Sequence, residues 1–249
     1  MPQAVATDKV PYLYSKVWIE HYGYDACRAS VLESLAKMQL DYIDLMLLHQ
    51  PFNDYYGAWR ALEDLYDEGK IRAIGVSNFY PDRLVDIASF SRIRPMVNQV
   101  ETHPLHQQIE AHKWMEKYNI VHEAWAPFGE GRGGLFENPV LKEIGAVYGK
   151  TTAQVMLRWL LQRNIVVLAK SARVERMAEN IAVFRNLTPM TPFLSVIRFG
   201  GEKPHGLWMS LSKTIILPAR AWSHFVLPFR PVRVKAENVL KNLPKPVIG

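Results

Sequence analysis

Apolar residues along the first 184 positions switch repeatedly between two periods. Short runs of β-branched, leucine and aromatic residues alternate with longer stretches in which apolar side chains recur every three or four positions. The runs at 10–18, 43–48, 73–76, 96–100, 120–125 and 165–169 read as strands. The second is interrupted only by Asp44, as suits a strand buried on both faces. Between the runs the spacing predicts helices. Asp25 is expected to cap one whose apolar positions are Cys27, Val31, Leu35 and Met38. Another crosses Trp59, Leu62, Leu65 and Tyr66 and stops near Gly69. Helices at 81–89 and 108–118 follow. Asn138-Pro139 joins a cap to a first-turn proline, ahead of a helix ending at Gly149. Thr151 and Gln154 have the spacing of a capping box, opening a helix through Val155, Trp159 and Leu160. A last helix is expected at 174–184. Five strands are thus followed by one helix and one strand by two, an alternation that implies a parallel sheet.

From Arg185 onward this pattern fails. Eight of the 16 prolines lie there, and the apolar runs at 214–217 and 225–227 are each cut by one, which disfavours central strands. The chain therefore divides into a domain at 1–184 and a proline-rich tail at 185–249. Charge sharpens the division. The net charge is +6, but the tail alone carries ten Lys/Arg against two Glu, leaving the domain at −2. A pI near 9.3 suggests nucleic acid at first sight. Because the basic character belongs to the tail, no nucleic-acid partner is expected for the domain. In the tail, Trp208, Trp222, Phe225 and Phe229 are of a type that stacks on bases.

With 49% apolar and 22% charged residues, the chain can bury a sizeable core. No stretch reaches the roughly 20 apolar residues that span a bilayer, and residues 1–8 lack a signal-peptide core. The single cysteine, Cys27, excludes an internal disulfide and falls in a helical packing pattern. A cytoplasmic protein is expected.

Candidate chemistry lies at the strand ends. In a parallel barrel, which typically takes about 250 residues, the carboxyl ends of the strands form the reactive face. Lys16, His49, Ser77-Asn78, Gln99 and Lys170-Ser171 each stand at the end of an apolar run. The glycine-rich stretch at 129–134 reads as a loop. His103, His106 and His112 have no accompanying cysteine, and a metal site is not expected.

These residues carry a resemblance. Ser15-Lys16-Val17-Trp18, Leu47-Leu48-His49-Gln50-Pro51, Gly69-Lys70-Ile71-Arg72-Ala73-Ile74-Gly75-Val76-Ser77-Asn78-Phe79 and Asn98-Gln99-Val100-Glu101-Thr102-His103-Pro104 are similar to successive motifs of the aldo-keto reductases. So are Glu123-Ala124-Trp125-Ala126-Pro127-Phe128 and the run from Ala169 to Asn180, in which Ala169 stands where a proline is usual. The branch resembled is the microbial one related to diketogluconate and glyoxal reductases. The resemblance implies a (β/α)8 TIM barrel, of which about six βα units are present in this chain. It implies NADPH as cofactor and a small carbonyl compound as substrate, reduced from aldehyde or ketone to alcohol. Lys16 and His49 match catalytic positions, and Trp18, with His49, lines the substrate pocket. Trp125 would stack on the nicotinamide, flanked by Ala126 and Phe128, while Ser77, Asn78 and Gln99 bind its carboxamide. Lys170, Ser171, Arg173 and Arg176 would surround the 2′-phosphate, with Glu179 and Asn180 near the adenine. Anion binding at the start of the last helix agrees with the helix dipole, and two guanidinium groups favour NADPH over NADH.

The family's first signature, with its aspartate and tyrosine, has no match ahead of Lys16. Only 15 residues precede it; Asp8 lacks the context, and Tyr12 and Tyr14 belong to the lysine strand. An N-terminally truncated reductase with an atypical tail is therefore expected. Loss of a general acid costs about 10²–10⁴-fold in rate, and a buried Lys16 without a carboxylate would tend to lose its proton. The alternatives are an NADPH-binding module without turnover and a truncated product without function. Oligomeric state is open.

Overall fold

The alternation read from the chain is present in the computed structural model, which describes residues 12–184. Among the described residues, six strands and seven α-helices follow one another in the expected order. The strands are β1 (Tyr14–Val17), β2 (Leu45–Leu48), β3 (Ile74–Ser77), β4 (Val97–Glu101), β5 (Val121–Trp125) and β6 (Val166–Val167). They form one sheet in sequence order, every pair parallel. The helices between them are α1 (Tyr24–Met38), α2 (Tyr55–Asp67), α3 (Pro81–Phe90) and α4 (Ile109–Tyr118). Then come α5 (Pro139–Tyr148) and α6 (Thr152–Gln162), both between β5 and β6, and α7 (Val174–Ile181). This is an incomplete (β/α)8 barrel, with β1 and β6 at the ends of the sheet.

Strand alternation sorts the side chains onto two faces. Val17, Met46, Leu48, Ile74, Val76 and Val100 point outward and pack with Val31, Leu35, Trp59, Leu62 and Leu84 of the first helices. A second cluster joins Ala124 and Ile165 to Leu141, Ile144, Val155, Met156 and Trp159. The inner face carries the intervening residues: Lys16 on β1, Leu47 on β2, Gly75 and Ser77 on β3, Gln99 on β4 and Glu123 on β5. Gly75 lets β3 and β4 close up. A Cβ there would lie 2.6 Å from the Val97 carbonyl oxygen and 2.7 Å from Leu47 Cδ2.

Several sequence expectations hold in detail. Residues of β2 are buried on both faces. The one polar residue of that run, Asp44, accepts from the Leu13 amide at 2.9 Å and from Arg72 at 3.3 Å, so it ties the entries of three strands together. Asn138 caps α5 by accepting from the Val140 and Leu141 amides, and the Thr151–Gln154 capping box is formed. Cys27 is fully buried, and burial pushes its thiol up to about 12, which leaves it a packing residue.

Others are corrected. Gly23, not Asp25, is the N-cap of α1; its φ of 92° suits glycine, and Asp25 sits in the exposed first turn. Met38, the last residue of α1, is 44% exposed rather than packed with Cys27, Val31 and Leu35. The last strand is two residues long rather than five. α7 stops at Ile181, and the chain tightens into a 3-10 turn through Phe184. Val10 and the tail at 185–249 lie outside the described residues. No described helix is long and apolar enough to cross a membrane.

Candidate active site

The carboxyl ends of β1 to β5 bring seven of the expected residues together. Asn78 is the hub. It follows β3 with a left-handed φ of 62°, a conformation asparagine tolerates better than most residues. Its Nδ2 donates to the His49 carbonyl at 3.1 Å and to Ser77 Oγ at 3.2 Å. Its Oδ1 accepts from Trp125 Nε1 at 2.9 Å. One amide thus links the tips of β2, β3 and β5 and fixes the orientation of the half-buried indole. Ser77 is fully buried, and its hydroxyl donates to the Gln99 carbonyl at 2.9 Å.

His49 follows β2 and meets the edge of Trp18, ring centroids 4.8 Å apart at 75°. Trp18 is 43% exposed and forms the rim beside β1. Burial, with the nearby Lys16 charge, pushes the His49 pKa down, so the imidazole is neutral at pH 7. Lys16 is half-buried; burial lowers its pKa while Glu123 raises it. Its ammonium donates to Gln99 Oε1, and Gln99 Nε2 donates to Glu123. Gln99 is 1% exposed and Glu123 6%, so this polar line runs through the interior of the sheet's concave face. Burial pushes the Glu123 carboxyl up, and Gln99 and Lys16 pull it back.

A second group surrounds a cavity of about 360 Å³ between α6 and α7. Lys170, Ser171, Arg176, Glu179, Asn180 and Phe128, all named from the sequence, are among the residues that line it. Phe136, Thr151, Thr152 and Ala153 complete the lining and were not foreseen. Phe128 and Phe136 meet at 5.7 Å between ring centroids. The Thr151 hydroxyl donates to Glu179, and Gln154 Nε2 donates to the Glu179 carbonyl at 3.0 Å. Arg173 stands outside the lining, at the N-cap of α7, where its amide donates to Ser171 Oγ at 3.1 Å. Ala126, with a left-handed φ of 48°, leads the chain from Trp125 towards Phe128.

Two residues escape a reading of the sequence for different reasons. Thr151 is recognisable as a cap, but nothing local tells that its helix start faces α7. Glu123 is one residue of a motif, and its inward direction follows from strand parity alone. His103 pairs with Glu101 at 3.2 Å and lies beside His106, ring centroids 6.0 Å apart, whereas His112 turns to His122, Nδ1 to Nδ1 at 3.0 Å.

Comparisons with known proteins agree with this architecture. The model of the Aldo/keto reductase family matches residues 4–191. Over 174 residues the chain is 45% identical to the glyoxal reductase of Bacillus subtilis, covering 70% of this chain and 62% of that protein. The structure of MGS-M4, an aldo-keto reductase from a Medee basin deep-sea metagenome library, has a TM-score of 0.72 at 37% identity, covering 76% of this chain and 72% of that one. A Bombyx mori aldo-keto reductase in complex with NADP has a TM-score of 0.67 at 32% identity, covering 70% of this chain and 62% of that one. The chain spans about three fifths of the length of the curated relatives it matches, among them 62% of the Bacillus subtilis glyoxal reductase.

Proposed function

The chain belongs to the aldo/keto reductase family, and on that footing we propose that it binds NADPH along its strand ends and reduces small α-oxoaldehydes. The observation that carries this reading is the cavity between α6 and α7, where Lys170, Ser171 and Arg176 stand together at the start of α7. Two cations and a helix N-terminus suit a phosphate; Arg173, at the N-cap, adds a third positive charge. Glu179 and Asn180 offer an acceptor and an amide to an adenine, and Phe128 and Phe136 offer apolar faces.

The strand tips suit the other end of the cofactor. Trp125 presents an indole whose orientation Asn78 fixes, and Ser77, Asn78 and Gln99 supply polar groups for a carboxamide. When bound, the dinucleotide supplies hydride. The chain's own groups would stabilise the oxygen of the accepting carbonyl. Neutral His49 can donate one N–H towards it, and the Lys16 ammonium adds positive charge where negative charge develops. Water would supply the proton that turns the alkoxide into the alcohol. Trp18 gives the substrate an apolar wall. The relative named glyoxal reductase supports an α-oxoaldehyde as substrate class.

NADPH should quench the tryptophan fluorescence of the purified protein, and Trp125→Ala should abolish the quench. NADPH oxidation with methylglyoxal or phenylglyoxal should exceed that of Lys16→Met. Arg176→Ala should weaken NADPH binding about tenfold or more while leaving NADH unchanged, since a charge-assisted hydrogen bond contributes about 1.5–3 kcal/mol. No quench, or a quench independent of Trp125, overturns the cofactor reading. Quenching without turnover leaves a dinucleotide-holding module, a reading favoured by the burial that pushes Lys16 towards its neutral form.

A further inference from the structure

Resting on the reductase reading of the strand tips, we infer that Glu123 is a positioning residue for Lys16, acting through the side-chain amide of Gln99. Three strands converge to build the arrangement. Gln99 on β4 and Glu123 on β5 are direct register partners. Lys16 reaches them from β1, across the concave face of the sheet.

Hydrogen-bond chemistry fixes the order of the line. An ammonium only donates, and an ionised carboxylate only accepts. A primary amide does both, at opposite atoms. Gln99 therefore turns Oε1 to Lys16 and Nε2 to Glu123. The reverse orientation would face donor to donor and acceptor to acceptor. The backbone at Gln99 is held separately, its carbonyl accepting from the Ser77 hydroxyl and the Asn78 amide. The two charges thus select one rotamer of a side chain that is 1% exposed.

Electrostatics points the same way. Burial opposes the charged form of both ends, and each end favours the charged form of the other. The other titratable groups facing this line are Tyr12 ahead of β1, Tyr14 on β1 and His49 after β2. Both phenols are held above their ordinary range by burial and by acidic neighbours, so they are neutral near pH 7. Gln99 draws the Tyr14 phenol back towards its ordinary range without cancelling the effect of burial. His49 is neutral as well. Glu123 is therefore the negative charge that sustains the Lys16 ammonium among the described residues.

The test uses the full chain labelled with [ε-¹⁵N]lysine, with the Lys16 signal assigned by Lys16→Arg and titrated by NMR. Glu123→Gln should lower the Lys16 midpoint by about one pH unit or more, the size expected on losing an opposite charge. Glu123→Asp should restore most of it. Gln99→Met, which keeps length and removes the amide, should lower the midpoint too and serves if Glu123→Gln does not fold. In parallel, the alkaline limb of kcat/KM for NADPH-dependent methylglyoxal reduction should move with the midpoint. A Lys16 midpoint unmoved in both Glu123→Gln and Gln99→Met overturns the assignment, whatever the activity. A shifted midpoint in a protein that does not bind NADPH upholds the electrostatic link and overturns the proposed function instead.

Discussion

The hydroxyl of Thr151, at the start of α6, donates a hydrogen bond to the carboxylate of Glu179 on α7. The same oxygen accepts from the Gln154 amide at 3.3 Å, within the capping box. One side chain therefore terminates a helix and pins its neighbour across the proposed adenosine cavity.

Thr151→Ala removes both roles. The lost cap should cost about 1 kcal/mol in urea denaturation. NADPH affinity should also fall, because the Glu179 carboxylate loses its hydroxyl partner and only its carbonyl stays bound to α6. Thr151→Ser retains the hydroxyl and should restore both values. A stability loss with NADPH affinity unchanged would separate the cap from the cavity.

Asp44 is the polar interruption in an otherwise apolar strand run, 9% exposed. Its two oxygens serve the Leu13 amide and the Arg72 guanidinium. Asp44→Ala leaves a part-buried amide without its acceptor, and a loss of about 1 kcal/mol is expected. Asp44→Asn keeps an acceptor for Leu13 and should lose less. Equal losses in the two variants would assign the stability to the charge rather than to the amide hydrogen bond.

Acid should act through His122, which is 2% exposed under α4. Thr102 Oγ1 donates to the Val100 carbonyl at 3.2 Å, so it accepts from His122 Nε2 at 2.8 Å. His122 Nδ1 is then an acceptor, facing His112 Nδ1 at 3.0 Å. Burial, His112 and Arg163 push its pKa down to about 3, against about 6.5 in an unfolded chain. Between these values the unfolded state takes up the proton and the folded state does not. Stability contributed at this site is complete above about pH 6.5 and falls below it, by up to about 1.4 kcal/mol per pH unit. The difference in unfolding free energy between the protein and His122→Gln should therefore shrink from pH 7 to pH 5. A constant difference would show that the imidazole titrates alike in the folded and unfolded states.

Periodicity in the chain is enough to place six strands and seven helices, because a parallel strand buried on both faces and an amphipathic helix leave different spacings of apolar residues. Local chemistry is equally legible: Asn138 and the Thr151–Gln154 pair cap within four residues of themselves, and the motifs ending in Phe79, Phe128 and Asn180 carry the family. Errors fall where the neighbour is distant. Asp25 has the right residue type for a cap, but Gly23 has the needed φ. Met38 keeps the helical spacing but ends α1 exposed.

What the chain does not disclose is which side chains meet. Its motif groups Gln99 with a cofactor and is silent on the lysine of β1 and the glutamate of β5 that its amide joins. Glu123 looks like one more residue of a motif. The 2.0-residue period of a strand decides which face a side chain takes, but only the curvature of six strands in order brings Lys16, Gln99 and Glu123 within hydrogen-bond reach. The sequence by itself determined the elements, their order and the family, since these depend on near neighbours. The tertiary structure alone decided the pairing of buried charges, which depends on distances between residues about a hundred positions apart.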